Sequence, residues 1–559
     1  MLTILMGRAK SGKTEWMLRR IAALGDSSRQ VLLVPEHATY AAEMDLCRTC
    51  GDTASRHAEV LSFRRLGTRV LSVTGGLADV SLDQGGKLLT LQKALGEVAP
   101  ELKLYRRPSR KAAFLTGMLD LFDEFQSFDV SPEDLSRRGE ELTGATGEKL
   151  RDLSLLYGAY QARLQRPGLD ARDRMSKLCD HLEESHIAEG VDFFLDGFSY
   201  FTAQEQKVLS VLLRQGRSVT VSLLGEERGG RSELFDASYR TRDALLRLAE
   251  ETSCEAEVLY IKPAGEDSPL RRLERGFLGP AQPWEGETEA IRLLEAPDPY
   301  TEVEECAAAI RRLVAGGKCR YRDIGVGARN MGDYEFLLES VFERYGIPAY
   351  QSCRSDILET PALAFVMGAM ETLGSGFEAE DLFRCLKTGL AGLTAEECDR
   401  LENYALTWDI HGSLWLREED WVAHPGGYGQ KWTDADREEL AEINALRQRV
   451  RQPFLLLREG MKAAETAGGK VEALYRFLES VKLQQSLEEQ RTRLAEAGLL
   501  QRAEERAQLW EILCEALDQF VELLGEEPIS TDEFQRLLRQ VLTQYSVGTI
   551  PAALDQVTV

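Results

Sequence analysis

Short apolar runs alternate along this chain with longer stretches whose apolar residues recur at helical spacing. Leu2-Thr3-Ile4-Leu5-Met6 is a run closed by glycine, the pattern of a buried strand. Glu15 to Ala22 reads as a helix, and Val31-Leu32-Leu33-Val34 as a second buried strand stopped by Pro35. Strand, loop, helix and strand in so few residues make a βαβ unit, which implies a parallel sheet. From about Leu82 to Glu189 the pattern turns helical, with Leu115, Leu119, Phe122 and Phe125 on one face and Leu150, Leu153, Leu156, Tyr157 and Tyr160 on another. The β pattern returns at Val191 to Asp196 and at Ser218 to Leu224, so a helical block is inserted between strands of one sheet. Pro263 to Glu287, rich in Gly, Pro and charge, reads as a linker.

A second α/β region starts near Ile291. Ile291-Arg292-Leu293-Leu294 and Ile324-Gly325-Val326-Gly327 have strand character, and Glu302 to Val314 and Tyr334 to Tyr345 have helical character. From Phe377 to Val541 helix dominates, with Trp408, Trp415, Trp421 and Trp432 in a loop-rich middle. Ala553 to Val559 looks like the start of a strand, so the chain is expected to be the N-terminal part of a longer protein. The fold class is α/β. The expected domains are 1–80 with 190–283 as one sheet-containing lobe, interrupted by a helical insertion over 81–189. Residues 284–376, with 545–559, begin a second lobe, interrupted by a helical insertion over 377–544.

The 559 residues carry 92 Asp and Glu against 68 Lys and Arg, a formal net charge of −24. That field excludes a uniformly basic nucleic-acid coat but leaves room for a locally basic channel. No apolar run reaches the roughly 18 residues of a membrane span. Ten scattered cysteines form no disulfide framework, so a soluble protein of a reducing, cytoplasmic compartment is expected.

Gly7-Arg8-Ala9-Lys10-Ser11-Gly12-Lys13-Thr14 fits G-x-x-x-x-G-K-[ST] between a strand and a helix. Glycines let successive backbone N–H groups face phosphate, and the helix N-terminus adds a favourable dipole. Lys13 is expected to neutralise the phosphates of ATP and Thr14 to ligate Mg²⁺. Asp196, closing Phe193-Phe194-Leu195, is the candidate carboxylate for the same ion; a strand-end Asp capping a turn is its rival reading. A motor ATPase follows this Asp with a Glu that polarises water, but here Gly197 stands there and cannot act as a base. Glu205, the nearest downstream carboxylate, reads as sitting on the surface of the next helix. No catalytic residue is assigned.

Cys47 and Cys50, with His57, lack the second pair of a zinc site. His181 and His186 miss helical zinc spacing, and Gly197-Phe198-Ser199-Tyr200-Phe201 lacks the second glycine of a nucleophile elbow. Arg106, Arg107, Arg110 and Lys111, followed by Arg163, Arg166, Arg172 and Arg174, are candidate phosphate contacts; solvated charged faces give the same pattern.

With these features in place, the chain resembles the B subunit of AddAB-type helicase–nucleases. The ordered matches are Gly7 to Thr14, Leu32 to Glu36 with Ala42-Glu43, Leu61 to Leu66, and Phe194 to Phe198 with Phe201-Thr202. They continue with Tyr321 to Ile324, Leu386 to Leu390, Leu401 to Tyr404, and Ala553 to Val557. The resemblance implies a superfamily-one helicase architecture of two RecA-like lobes, each with a helical insertion. It implies an AddA-type partner in a heterodimer, with DNA ends and single-stranded DNA as substrates of recombinational repair, and no membrane. Full-length members add a C-terminal nuclease domain with an iron–sulfur cluster, so none of the ten cysteines here is assigned to that cluster. Arg329 aligns with the second-lobe Arg that reaches the γ-phosphate in such helicases, although a surface Arg fits equally. Thr39 and Tyr40 occupy the place where such helicases touch single-stranded DNA, with strand–helix packing as the rival. An autonomous P-loop ATPase and a scaffold with a vestigial loop remain the alternatives.

Overall fold

A computed structural model of the protein describes residues 1–51, 53–75, 82–107, 111–164, 174–227, 233–262, 267–277, 283–350, 357–547 and 555–559. The chain divides into two compact units. The first comprises Met1–Ser81, Glu101–Tyr105 and Asp120–Leu293; the second comprises Leu82–Pro100, Arg106–Leu119 and Leu294–Val559. Among the described residues no helix is long and apolar enough to cross a membrane.

The first unit is built on six strands: β1 (Leu2–Gly7), β2 (Arg29–Leu33), β3 (Ala58–Leu61), β4 (Val191–Leu195), β5 (Ser218–Leu224) and β6 (Ala256–Tyr260). They lie in the order β3-β2-β4-β5-β1-β6, every pair parallel. β1 and β4 are buried at every position, as a parallel sheet covered on both faces requires. Alternation sorts their side chains. Leu2, Ile4, Met6, Phe193 and Leu195 join one core with helices Phe63–Thr74, Arg174–Ser185, Ala203–Gln215 and Asp236–Glu251. Leu5, Leu32 and Phe194 join the opposite core with helices Lys13–Leu24 and Thr39–Cys50. The result is a three-layer αβα arrangement with the β1–helix–β2 unit read from the sequence, although β4 and β5 lie between the two strands. β3 and β6 escaped the sequence reading because they are edge strands, partly polar and only partly buried.

Three expectations are corrected. Ile291 to Leu294 forms no strand and is exposed, Leu293 almost completely. Its apolar residues have no sheet to enter among the described residues. Ile324 to Gly327 is reduced to a single bridge, Gly325 to Thr558, flanked by two backbone hydrogen bonds. The linker expected over Pro263 to Glu287 holds a helix, Pro269–Gly276, started by the Ser268 cap and Pro269.

In the second unit β7 (Ala349–Tyr350) pairs with β8 (Val557–Thr558), in parallel. The adjoining core includes Val303, Ala307 and Ile310 of helix Pro299–Ala315 and Leu338, Val341 and Phe342 of helix Glu335–Arg344. Most of the other described residues of this unit are helical. Helix Gln84–Val98 belongs to this unit: Lys93 pairs with Glu527 at 2.7 Å and Gln92 bonds Glu533 at 3.2 Å. Buried Arg447 sits 4.8 Å from the Trp421 ring and donates to the carbonyls of Trp415 and Glu419, which organises the tryptophan-rich loops.

On β4, buried Asp192 accepts hydrogen bonds from Ser28 and Ser218, each at 2.5 Å, which fix this strand between its neighbours. Asp192→Ala is expected to lower unfolding free energy by about 2–3 kcal/mol, since bonds to a buried charge carry that order of energy. Urea denaturation measures it, and an unshifted midpoint would show that the serines do not need the carboxylate.

Candidate nucleotide-binding site

The site forms at the carboxyl ends of the strands, where β1 stops at Gly7 and the chain curls before entering helix Lys13–Leu24. A Cβ at Gly7 would lie 2.4 Å from Ser11 Oγ and 2.8 Å from the Ile261 carbonyl oxygen, so the turn admits only glycine. Lys10 and Gly12 take left-handed φ values of 55° and 95°, and Ser11 N–H donates to the Arg8 carbonyl at 3.2 Å. Ala9 and Lys10 are exposed while Ser11 is buried. Lys13 Nζ turns back over the loop, donating to the carbonyls of Gly7 at 2.7 Å and Arg8 at 2.9 Å, with Ser11 Oγ at 3.5 Å. Burial lowers its pKa, opposed by the charge of Asp196.

Thr14 and Asp196, far apart in sequence, meet here: Thr14 Oγ1 donates to Asp196 Oδ2 at 2.6 Å. The backbone N–H of Asp196 donates to the Leu33 carbonyl at 3.0 Å, fixing the strand end. Ser222, on the intervening β5, donates to Asp196 Oδ1 and is buried. Sequence reading missed Ser222, since a serine in an apolar strand carries no signal until its neighbours are known. It also missed the partners of Arg8. The Arg8 guanidinium bonds Glu226 at 2.5 Å and Glu274 at 2.9 Å, and lies 5.5 Å from the Phe235 ring centre.

Glu205 lies at the third position of helix Ala203–Gln215 and is half-buried instead of on the surface expected for it, because it folds back to close a capping box with Thr202; burial raises its pKa. Gly197 has φ 82°, and a Cβ there would come within 3.3 Å of Pro35 Cδ. Thr39 is buried with its hydroxyl donating to the Glu36 carbonyl at 3.0 Å, while Tyr40 is 65 % exposed. Arg106, Arg107 and Lys111 are exposed in the second unit; Arg110, Arg166 and Arg172 lie outside the described residues. Arg163 is buried. Arg329 is exposed in the second unit, beyond the bridged Gly325. Cys50 bonds the Leu18 carbonyl through its thiol, and His57 faces Asp26 at 3.4 Å. No cluster of three or more metal-ligating His, Cys, Asp or Glu residues occurs among the described residues.

Residues 4–274 match the family described as ADDB, N-terminal. The chain is similar from end to end to AddB-type subunits. It is 32 % identical over 578 positions to the B subunit of the ATP-dependent helicase/deoxyribonuclease of Thermoanaerobacter sp. (strain X514), covering 100 % of this chain and 50 % of that protein. Proteins of the same name from Clostridium kluyveri and Clostridium botulinum are each 30 % identical, over 581 and 574 positions, with the same coverage. The chain spans about half the length of these AddB relatives.

The Gly197 geometry makes a prediction about hydrolysis. Gly197→Glu is expected to cost about 1–2 kcal/mol of stability through left-handed strain. It is also expected to confer no ATP turnover, because the backbone turns against Pro35 where a base would have to project. Denaturation and steady-state phosphate release measure the two effects; a gain in turnover would overturn the second.

Proposed function

We propose that this chain is the nucleotide-binding, helicase-like N-terminal part of an AddB-type subunit, acting with an AddA-type partner on double-strand DNA ends during recombinational repair. The observation that carries the reading is the Thr14–Asp196 contact, which joins the loop hydroxyl to a strand-end carboxylate across the sheet. Their hard oxygen donors suit Mg²⁺, which takes few protein ligands and shares the rest of its shell with phosphates and water. When bound, Mg²⁺ would neutralise phosphate charge. Gly7 to Thr14 would then cradle the triphosphate of ATP, with Lys13 exchanging its carbonyl partners for phosphate oxygens.

In this reading residues 1–80 and 190–283 form a RecA-like lobe, 284–376 with 545–559 begin a second, and 81–189 and 377–544 are their insertions. Arg329 would approach the γ-phosphate from the second lobe. The nuclease activity, with its iron–sulfur cluster, would lie in a portion of the protein outside these residues. Gly197 in place of a water-activating acid favours nucleotide binding with weak or absent motor activity. Exposed Tyr40 is the group free to stack on a base, whereas the Thr39 hydroxyl is already committed. Arg106, Arg107, Arg110 and Lys111 would add phosphate contacts.

Lys13→Ala is expected to weaken ATP binding at least about tenfold, the loss of roughly 1.4 kcal/mol or more. Calorimetry of wild type and variant decides between a working loop and a vestigial one, since a vestigial loop leaves the two alike. Turnover by the isolated chain of about 10 s⁻¹ or more would favour an autonomous ATPase.

Tyr40→Ala is expected to weaken single-stranded DNA binding by about 1–3 kcal/mol. The remaining affinity should fall steeply with salt. Fluorescence anisotropy across a salt series measures both, and unchanged affinity would remove Tyr40 from the DNA path.

A further inference from the structure

Arg8 is the first variable residue of the phosphate loop, yet its side chain faces a helix far along the chain. Its Nη1 donates to both Glu274 Oε1 at 2.9 Å and the Glu274 backbone carbonyl at 3.2 Å, while Nη2 donates to Glu226 at 2.5 Å. Glu274 lies in the last turn of helix Pro269–Gly276. The Glu274 carbonyl also accepts the Phe277 N–H at 3.4 Å, so Arg8 is a second, charged donor at this helix end, where a cation complements the dipole. The guanidinium is mostly buried, with 18 % of its side chain exposed, and its carboxylate partners are about one-third exposed. Arg8 is therefore both part of the loop and a side-chain cap on the C-terminal end of this helix.

The two roles compete. The Arg8 carbonyl accepts from Lys13 Nζ and from Ser11 N–H. A triphosphate that draws Lys13 off this carbonyl disturbs the backbone carrying the guanidinium. It also brings several negative charges toward a cation held by two carboxylates, so phosphate attracts Arg8 and repels Glu226 and Glu274. We propose that Arg8 makes helix Pro269–Gly276 a reporter of nucleotide occupancy: the helix end holds the Arg8 guanidinium when the loop is empty and loses it when triphosphate binds. The inference rests on the nucleotide-binding reading of the loop. Among the described residues this helix is the last before Leu294, where the second unit begins.

Linkage makes the coupling reciprocal: if nucleotide loosens the helix, loosening the helix must tighten nucleotide binding. The test uses the 559-residue chain with adenosine 5′-O-(3-thiotriphosphate) and Mg²⁺, comparing wild type, Glu274→Gln and Glu227→Gln. Glu227 pairs with Lys262 at 3.1 Å, so its variant removes a nearby charge without touching the Arg8 contacts. Hydrogen exchange of the amides of residues 273–277 and the nucleotide Kd are the readouts. In wild type, nucleotide should speed exchange by about fivefold or more. Glu274→Gln should exchange faster without nucleotide, respond little when it is added, and bind it about fivefold more tightly. Glu227→Gln should match wild type in both. Nucleotide binding that leaves wild-type exchange unchanged, or a Glu274→Gln affinity no tighter than wild type, overturns the coupling alone. Absence of nucleotide binding by the wild type overturns the reading of the loop and the coupling with it.

Discussion

The contact between the Thr14 hydroxyl and the Asp196 carboxylate depends on the register of three parallel strands. β1 and β4 are separated by β5, so the two groups start from strands roughly 10 Å apart. Leu195 pairs with Val221 and Leu5 pairs with Ser222, which places Asp196 level with Ser222 at the end of the sheet. Ser222 fills the gap between the outer strands and bonds the second carboxylate oxygen. A one-residue slip would turn Ser222 to the other face and separate the pair. The two apolar cores oppose such a slip, because each strand would then place its side chains in the wrong layer.

The electrostatics of the site run against those of the chain as a whole. The protein is strongly acidic, yet the loop from Gly7 to Thr14 gathers Arg8, Lys10 and Lys13. Two of these cations are held by internal acceptors, Lys13 by loop carbonyls and Arg8 by two carboxylates, while Lys10 is exposed. Burial makes the Lys13 charge costly to keep, and the nearby Asp196 offsets that cost. Anionic ligand binding would therefore exchange one set of acceptors for another instead of filling an unneutralised positive pocket. The same exchange ties the loop to helix Pro269–Gly276.

The half-length similarity to AddB proteins and the Gly197 geometry bear on the same question from different sides. The relatives carry ATP dependence in their names, and in this chain the residue after Asp196 is a left-handed glycine set against Pro35. Binding and hydrolysis need different residues. Grip requires backbone N–H groups, a lysine and a metal-binding hydroxyl, while turnover also requires a positioned base.

The glycine-bounded turn from Gly7 to Lys13 between a strand and a helix was legible in the sequence because its residues are contiguous and their spacing encodes one backbone shape. The buried strands β1, β2, β4 and β5 were legible too, since continuous apolar runs have few other uses. Ile291 to Leu294 misled for a related reason: an apolar run signals a strand only when a sheet is there to receive it, and here it is exposed. The partly polar edge strands β3 and β6 gave no comparable signal. Asp196 could be proposed from its place at a strand end, but its bonds to Thr14 and Ser222 depend on strand order, and the sequence contains no strand order. The Arg8 cap on Glu274 spans a still larger separation. Local propensity and apolar spacing act over a few residues and are written in the chain, whereas charge pairing and register are distances in space, decided only when the sheet closes and its helices pack.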